Sequence, residues 1–211
     1  MKKTLLTLLV AIIANVTFGQ SVNFGIKAGI NMSDQTYGGI TAGMDLKHQY
    51  TPGFNAGAIV NIDFLNFTLQ PGLTYTTKGE KITQQQTTSN PVSSYVVPAT
   101  TYTLNYLETS LNGLFNIHAA PGAIIQLGGG IFGSQGLSAH RGSEKASFNK
   151  DDQVFVHYQN PDYGLKFIAG IKLKKQILVD VSYSLGLADI STNDTKMKNR
   201  VFGLSAGYLF K

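Results

Sequence analysis

The chain has 211 residues, 23 of them glycine, no cysteine, and a net charge of +5 spread thinly along its length. Without cysteine there is no disulfide framework, thiolate metal site or lipoprotein anchor. The positive excess is too small and scattered to suit a nucleic-acid partner.

The first residues read as an export signal. Lys2 and Lys3 precede an apolar run from Leu5 to Val16, and Thr17 and Gly19 suit positions −3 and −1 of a cleavage site. The expected division is a signal peptide over 1–19 and a single domain over 20–211. No other apolar run approaches the ~20 residues a membrane helix needs. Membrane strands stay possible, because each needs only ~10 alternating residues.

Alternation of that kind recurs along the rest of the chain. The first strand, 22–31, puts Val22, Phe24, Ile26, Ala28 and Ile30 on one face and Asn23, Gly25, Lys27, Gly29 and Asn31 on the other. A polar loop is expected over 32–51. The second strand, 53–63, carries Phe54, Ala56, Ala58, Val60 and Ile62 on its apolar face, with Ile59 as an exception on the other. A tight turn leads to the third, 67–78, whose Pro71 lacks an N–H and belongs at a bulge or ladder gap.

A Gln/Thr/Ser-rich loop, 80–101, precedes the fourth strand, 103–117. Pro121-Gly122 turns the chain into the fifth, 123–133, and the most charged loop follows over 134–162. The sixth strand, 163–173, and the seventh, 177–187, are joined by the short turn Lys174-Lys175-Gln176. After a loop over 188–199 the last strand, 200–211, alternates Phe202, Leu204, Ala206, Tyr208 and Phe210 with Gly203, Ser205 and Gly207, leaving Leu209 as an exception.

Eight strands with connections alternating long and short predict an all-β, eight-stranded, antiparallel, up-and-down transmembrane β-barrel. Its short turns and both termini would face the periplasm and its long loops the outside. An even strand count closes the sheet without a free edge, as lipid requires.

Period two does not say which face points inward. A soluble lipocalin-like carrier would turn its apolar face in, a membrane barrel out. Three features favour lipid. The non-apolar face is mostly small, as the narrow interior of eight strands requires. Lys27, Lys78, Glu108, Lys166, Lys172 and Asp180 all share that face, where they would have to pair. The apolar-face aromatics gather near strand ends: Phe54, Tyr75, Tyr163, Tyr183 and Phe202 towards the outer rim, and Phe24, Phe64, Phe67, Phe115, Tyr208 and Phe210 towards the periplasmic rim. Two such girdles suit two membrane interfaces.

Several stretches resemble the PorT-like outer-membrane β-barrel domain of Bacteroidota-type bacteria. Leu69-Gln70-Pro71-Gly72-Leu73-Thr74-Tyr75 with Lys78-Gly79 is similar to one strand of that family, and Tyr106-Leu107-Glu108-Thr109-Ser110-Leu111 to the next. Asp162-Tyr163-Gly164, Gly170 and Asp180-Val181-Ser182-Tyr183 with Gly186-Leu187 resemble its sixth and seventh strands. Gly72, Thr109-Ser110 and Ser182 depart from the family's usual Glu, Ile-Pro and Arg. The resemblance implies an integral outer-membrane barrel. Some PorT-type members assist protein secretion.

No residue pattern calls for catalysis, a cofactor or a metal. His48 and His118 fall in separate connections and His140 and His157 in the loop over 134–162, with no metal-ligand spacing on one strand. Asp151, Asp152, His157, Ser143 and Ser147 share one loop and form the lone candidate for a rim-sited hydrolase. Gly128-Gly129-Gly130 lies within a strand with no capped helix after it, so it is no phosphate loop. The expected partners are outer-membrane lipid, the barrel-assembly machinery through the last strand, and a protein or glycan at outer loops such as that around Tyr95. The expected role is non-enzymatic, structural or in surface interaction. The alternatives are an accessory subunit or assembly factor of a secretion machine, the rim-sited hydrolase, and the soluble carrier.

Overall fold

The computed structural model describes residues 21–38, 48–83, 85–90, 93–97, 99–148, 158–192 and 196–210, with only the backbone for 38, 48, 85–90 and 93–97. The signal segment 1–19, Gln20, Asp151, Asp152 and His157 lie outside the described residues.

Eight long strands form the body: β1 (Ser21–Gly38), β2 (Thr51–Asp63), β3 (Phe67–Ile82), β4 (Thr100–Ala120), β5 (Ala123–Arg141), β6 (Asp162–Leu173), β7 (Ile177–Gly186) and β8 (Lys196–Leu209). Each pairs antiparallel with the next in sequence. β8 pairs back with β1 over fourteen rungs, from Gly25↔Leu209 to Gly38↔Lys196, which closes the ring. The predicted eight-stranded up-and-down barrel is the observed one.

The three short turns fall at one end. Phe64 N–H donates to Phe67 O at 2.7 Å, and Gln176 N–H to Leu173 O at 3.0 Å. Gly122 has φ +81° in the turn after Pro121, a conformation side chains disfavour. The β2–β3 ladder runs from Asn55↔Thr76 to Ile59↔Gly72 and resumes at Ile62↔Leu69. Pro71 lies in the skipped stretch, where no N–H is needed towards β2.

The long connections are shorter than the sequence pattern suggests. β1 runs on to Gly38 and β3 to Ile82, β4 already starts at Thr100, β5 extends to Arg141, and β8 begins at Lys196. The segments expected as loops over 32–51, 80–101, 134–162 and 188–199 are therefore partly barrel wall. Two short strands complete that wall: His48–Gln49 pairs with β3 and Glu144–Ala146 with β5. The pattern hid these extensions because both faces change character there. β4 also carries a register shift between Asn105 and Tyr106.

Two apolar clusters occupy the lumen. Ile59, Leu178 and Leu209 pack together towards the short-turn end. Ile59 and Leu209 are the two residues that break the alternation of their strands. Gly25 pairs with Ile59 on one side and Leu209 on the other. A Cβ on Gly25 would stand 2.7 Å from Leu209 Cδ2, so glycine makes room for the contact. At the opposite mouth Leu104, Tyr106, Ala139, Ala146, Tyr158 and Ile190 form a larger cluster, with Tyr102, Phe148 and Met197 against it.

Candidate functional site in the barrel lumen

The strands bring charged residues from distant parts of the chain into the lumen between these clusters. Inward positions recur every second residue, so Lys78 on β3, Glu108 on β4 and Lys166 on β6 project into the same narrow space. Lys78 Nζ lies 3.0 Å from Glu108 Oε2 and 3.0 Å from Asp162 Oδ2. Lys166 pairs with the other oxygen of Glu108. Ser134 Oγ donates to Glu108 Oε2 at 3.1 Å, and Asn199 Nδ2 to Asp162 Oδ2 at 3.0 Å. Lys78 is 2 % exposed, and its ammonium stands 4.5 Å from the Phe132 ring centroid and 5.0 Å from that of Tyr106. Two cations and two carboxylates thus neutralise one another, with aromatic faces covering the central ammonium.

Two simpler pairs flank this network. Lys27 Nζ is 2.7 Å from Asp180 Oδ2. Lys172 Nζ is 2.7 Å from Asp63 Oδ1, which also accepts from Thr68 Oγ1 at 2.5 Å. Amides and hydroxyls fill the remaining space. Asn31 Nδ2 donates to Thr76 Oγ1 at 2.9 Å, Asn55 Nδ2 to Asn31 Oδ1 at 2.8 Å, and Gln70 Nε2 to Asn61 Oδ1 at 2.9 Å. A cavity of about 50 Å³ persists beside Lys27, Glu108 and Lys166. It has room for water but not for a drug-sized ligand.

All six charged residues singled out from the sequence, Lys27, Lys78, Glu108, Lys166, Lys172 and Asp180, sit in these pairs. Three further acids belong with them. Asp63 receives Lys172, Asp162 receives Lys78, and the buried Glu80 accepts from the Tyr37 hydroxyl. Period two extended by one step from Lys78 reaches Glu80, and extended backwards from Lys166 and Gly164 it reaches Asp162. Both acids fall within the segments expected as loops, 80–101 and 134–162.

The eleven aromatics lie on the outer surface of the ring or at its turns. Phe24, Phe54, Phe64, Phe67, Phe115, Tyr163, Tyr183, Phe202, Tyr208 and Phe210 are exposed, and Tyr75 is half-buried. Phe54 stacks on Tyr75 at 5.6 Å between centroids, and Tyr183 faces Phe202 across β7 and β8. At the short-turn end Tyr208 meets Phe210 edge-on at 5.6 Å, and Phe64 lies 6.1 Å from Phe67.

Of the candidate hydrolase residues only Ser143 and Ser147 are among the described residues. Ser143 is exposed in the turn after Arg141, whereas Ser147 is buried, its carbonyl accepting from Tyr158 N–H at 2.8 Å. No group of three or more His, Asp or Glu side chains suited to a metal ion occurs among the described residues.

Known structures share this architecture. OprG, an outer membrane protein from Pseudomonas aeruginosa, superposes with a TM-score of 0.53 at 13% identity, over 91% of this chain and 97% of that one. Neisserial surface protein A gives 0.49 at 14% identity, over 90% and 99%. Ail of Yersinia pestis, in complex with the heparin analogue sucrose octasulfate, gives 0.41 at 16% identity, over 90% and 99%. No curated protein matches the sequence. The model of the outer membrane protein beta-barrel domain matches residues 18–192, most of the ring whose lumen is described above, and the chain belongs to that family.

Proposed function

We propose that the protein is a closed outer-membrane barrel, not an enzyme, that acts through its outer surfaces in a structural or interaction role. One observation carries this reading. Ion pairs and amide contacts fill the middle of the lumen, and the cavity beside Lys27, Glu108 and Lys166 measures about 50 Å³. Eight tilted strands leave no channel once side chains fill the centre. In this reading Lys27, Lys78, Glu108, Lys166, Lys172 and Asp180 hold the barrel shut, and the aromatic girdles meet lipid at its two interfaces. Segment 1–19 directs export and is cleaved. The long connections face the outside, the short turns face the periplasm, and Tyr208 with Phe210 engages the barrel-assembly machinery. Purified protein in planar bilayers is expected to give no large, stable conductance. A large, stable step would overturn the closed-barrel reading.

A second reading, an accessory subunit of a secretion machine, draws on where the PorT-like stretches lie. They supply Lys78, Glu108, Asp162 and Asp180, each of which forms a lumenal pair. Loss of secreted proteins from a deletion strain would favour it, and unchanged secretion would remove it.

A further inference from the structure

The short-turn mouth of the barrel holds a second cavity, of about 330 Å³, which shares no lining residue with the one beside Lys27, Glu108 and Lys166. Its size falls within the range of small-molecule sites. Separate segments bring charge to it: Asp63 ends β2, His118 lies near the end of β4, Lys172 near the end of β6, and Lys175 in the turn that follows.

The two lysines are placed differently. Lys172 is 3 % exposed, and among the described residues Asp63 Oδ1, at 2.7 Å, is the one acceptor of its ammonium. An ammonium carries three donors, so two remain beside the cavity. Asp63 is by contrast well supplied. Thr68 Oγ1 donates to the same oxygen at 2.5 Å, and Asn23 Nδ2 to the other at 3.4 Å.

Lys175 stands where turn chemistry disfavours it. Lys174 and Lys175, with φ of +48° and +61°, are the central residues of the turn closed by Gln176 N–H on Leu173 O. Turns with two left-handed central residues are normally filled by Asn and Gly. The turn's own preference therefore does not account for a cation at this position, whereas the cavity it lines does. Asp63 balances one of the two lysines, so the lining keeps one positive charge in excess. Leu65 and Ile124 give the same cavity an apolar side.

We propose that this mouth binds a small monocarboxylate with a short apolar body. Lys172 and Lys175 hold the carboxylate by charge-assisted hydrogen bonds, the His118 imidazole supplies a further N–H, and the apolar body lies towards Leu65 and Ile124. One excess positive charge matches one carboxylate, and a doubly charged anion would leave the site over-filled with negative charge.

The site goes beyond the surface role proposed above, and its test in detergent does not depend on which way the barrel sits in a membrane. The purified protein in uncharged octyl glucoside micelles is titrated with N-acetylalanine, and amide NMR shifts of His118 and Lys172 to Gln176 are followed. Saturable shifts are expected there. N-acetylalaninamide, the neutral counterpart, should bind at least about tenfold more weakly, as loss of a charge-assisted bond implies, and inorganic phosphate should also bind more weakly. Lys175→Asn keeps a residue that tolerates the left-handed turn and removes the cation, so heat-modifiable migration should be unchanged while N-acetylalanine binds about tenfold more weakly. Lys145→Gln, at the opposite end of the barrel, should change nothing. Absence of saturable shifts, equal binding of the amide, or unchanged binding by the Lys175→Asn variant overturns the proposal. Equal or tighter binding of phosphate overturns the carboxylate assignment, and an equal loss in the Lys145→Gln variant would show that the protein's overall charge, not this site, attracts the probe.

Discussion

The middle of the barrel and the mouth away from its short turns are built from the same strands, and on β4 the two faces exchange polarity between them. On β4 the inward positions in the middle are Glu108, Ser110, Asn112 and Asn116, with Leu114 the one apolar residue among them, but Tyr102, Leu104 and Tyr106 at the mouth. The outward positions change in the reverse sense, from Phe115, Leu111 and Leu107 to Asn105, Thr103 and Thr101. β1 passes outward from Ile30 and Met32 to Asp34 and Thr36, and β8 from Phe202 to Arg200 and Lys198. A strand in lipid puts apolar groups outside and polar groups within. A strand in water does the opposite, because there the apolar surface gains by leaving the solvent. The exchange near Met32, Tyr75, Leu107 and Phe202 is the level at which a change from hydrocarbon to water is expected.

That contrast can be broken most severely in the middle. Lys78→Ala would leave Glu108 and Asp162 close together in the lumen with the central cation gone. Breaking a buried pair in this way is expected to cost about 3–5 kcal/mol. Urea unfolding of the refolded protein measures it, and a cost below about 1 kcal/mol would mean the network contributes little.

The two outward faces of β4 offer a sharper comparison. Leu111→Arg, in the middle, should cost about 2–4 kcal/mol in a bilayer. Thr103→Arg, on the same outward face above the exchange, should stay within about 0.5 kcal/mol. Folded yields in lipid vesicles compare the two directly, and equal losses would place the membrane boundary elsewhere. A modest effect is expected at the short-turn end. Ile59→Val removes one methyl group from the contact with Leu178 and Leu209, and about 0.5–1.5 kcal/mol should follow. A neutral result would show that this cluster packs loosely.

The ring of eight strands and its two unlike faces were legible in the sequence, because a side-chain period of two is intrinsic to extended backbone and needs no partner to be seen. The six inward charges were visible for the same reason. Three things were decided only when the strands closed. Ion-pair partners depend on register between strands far apart in sequence, and Lys78 reaches Asp162 across 84 positions. The strand extensions past Asn31, Lys78 and Gly133 were hidden because polarity inverts where the wall leaves the lipid, so an unbroken alternation looks like its end. Phe148, Tyr158 and Ile190 sit in segments that read as hydrated loop. They became core only because the raised strands enclose a space from which water is favourably expelled.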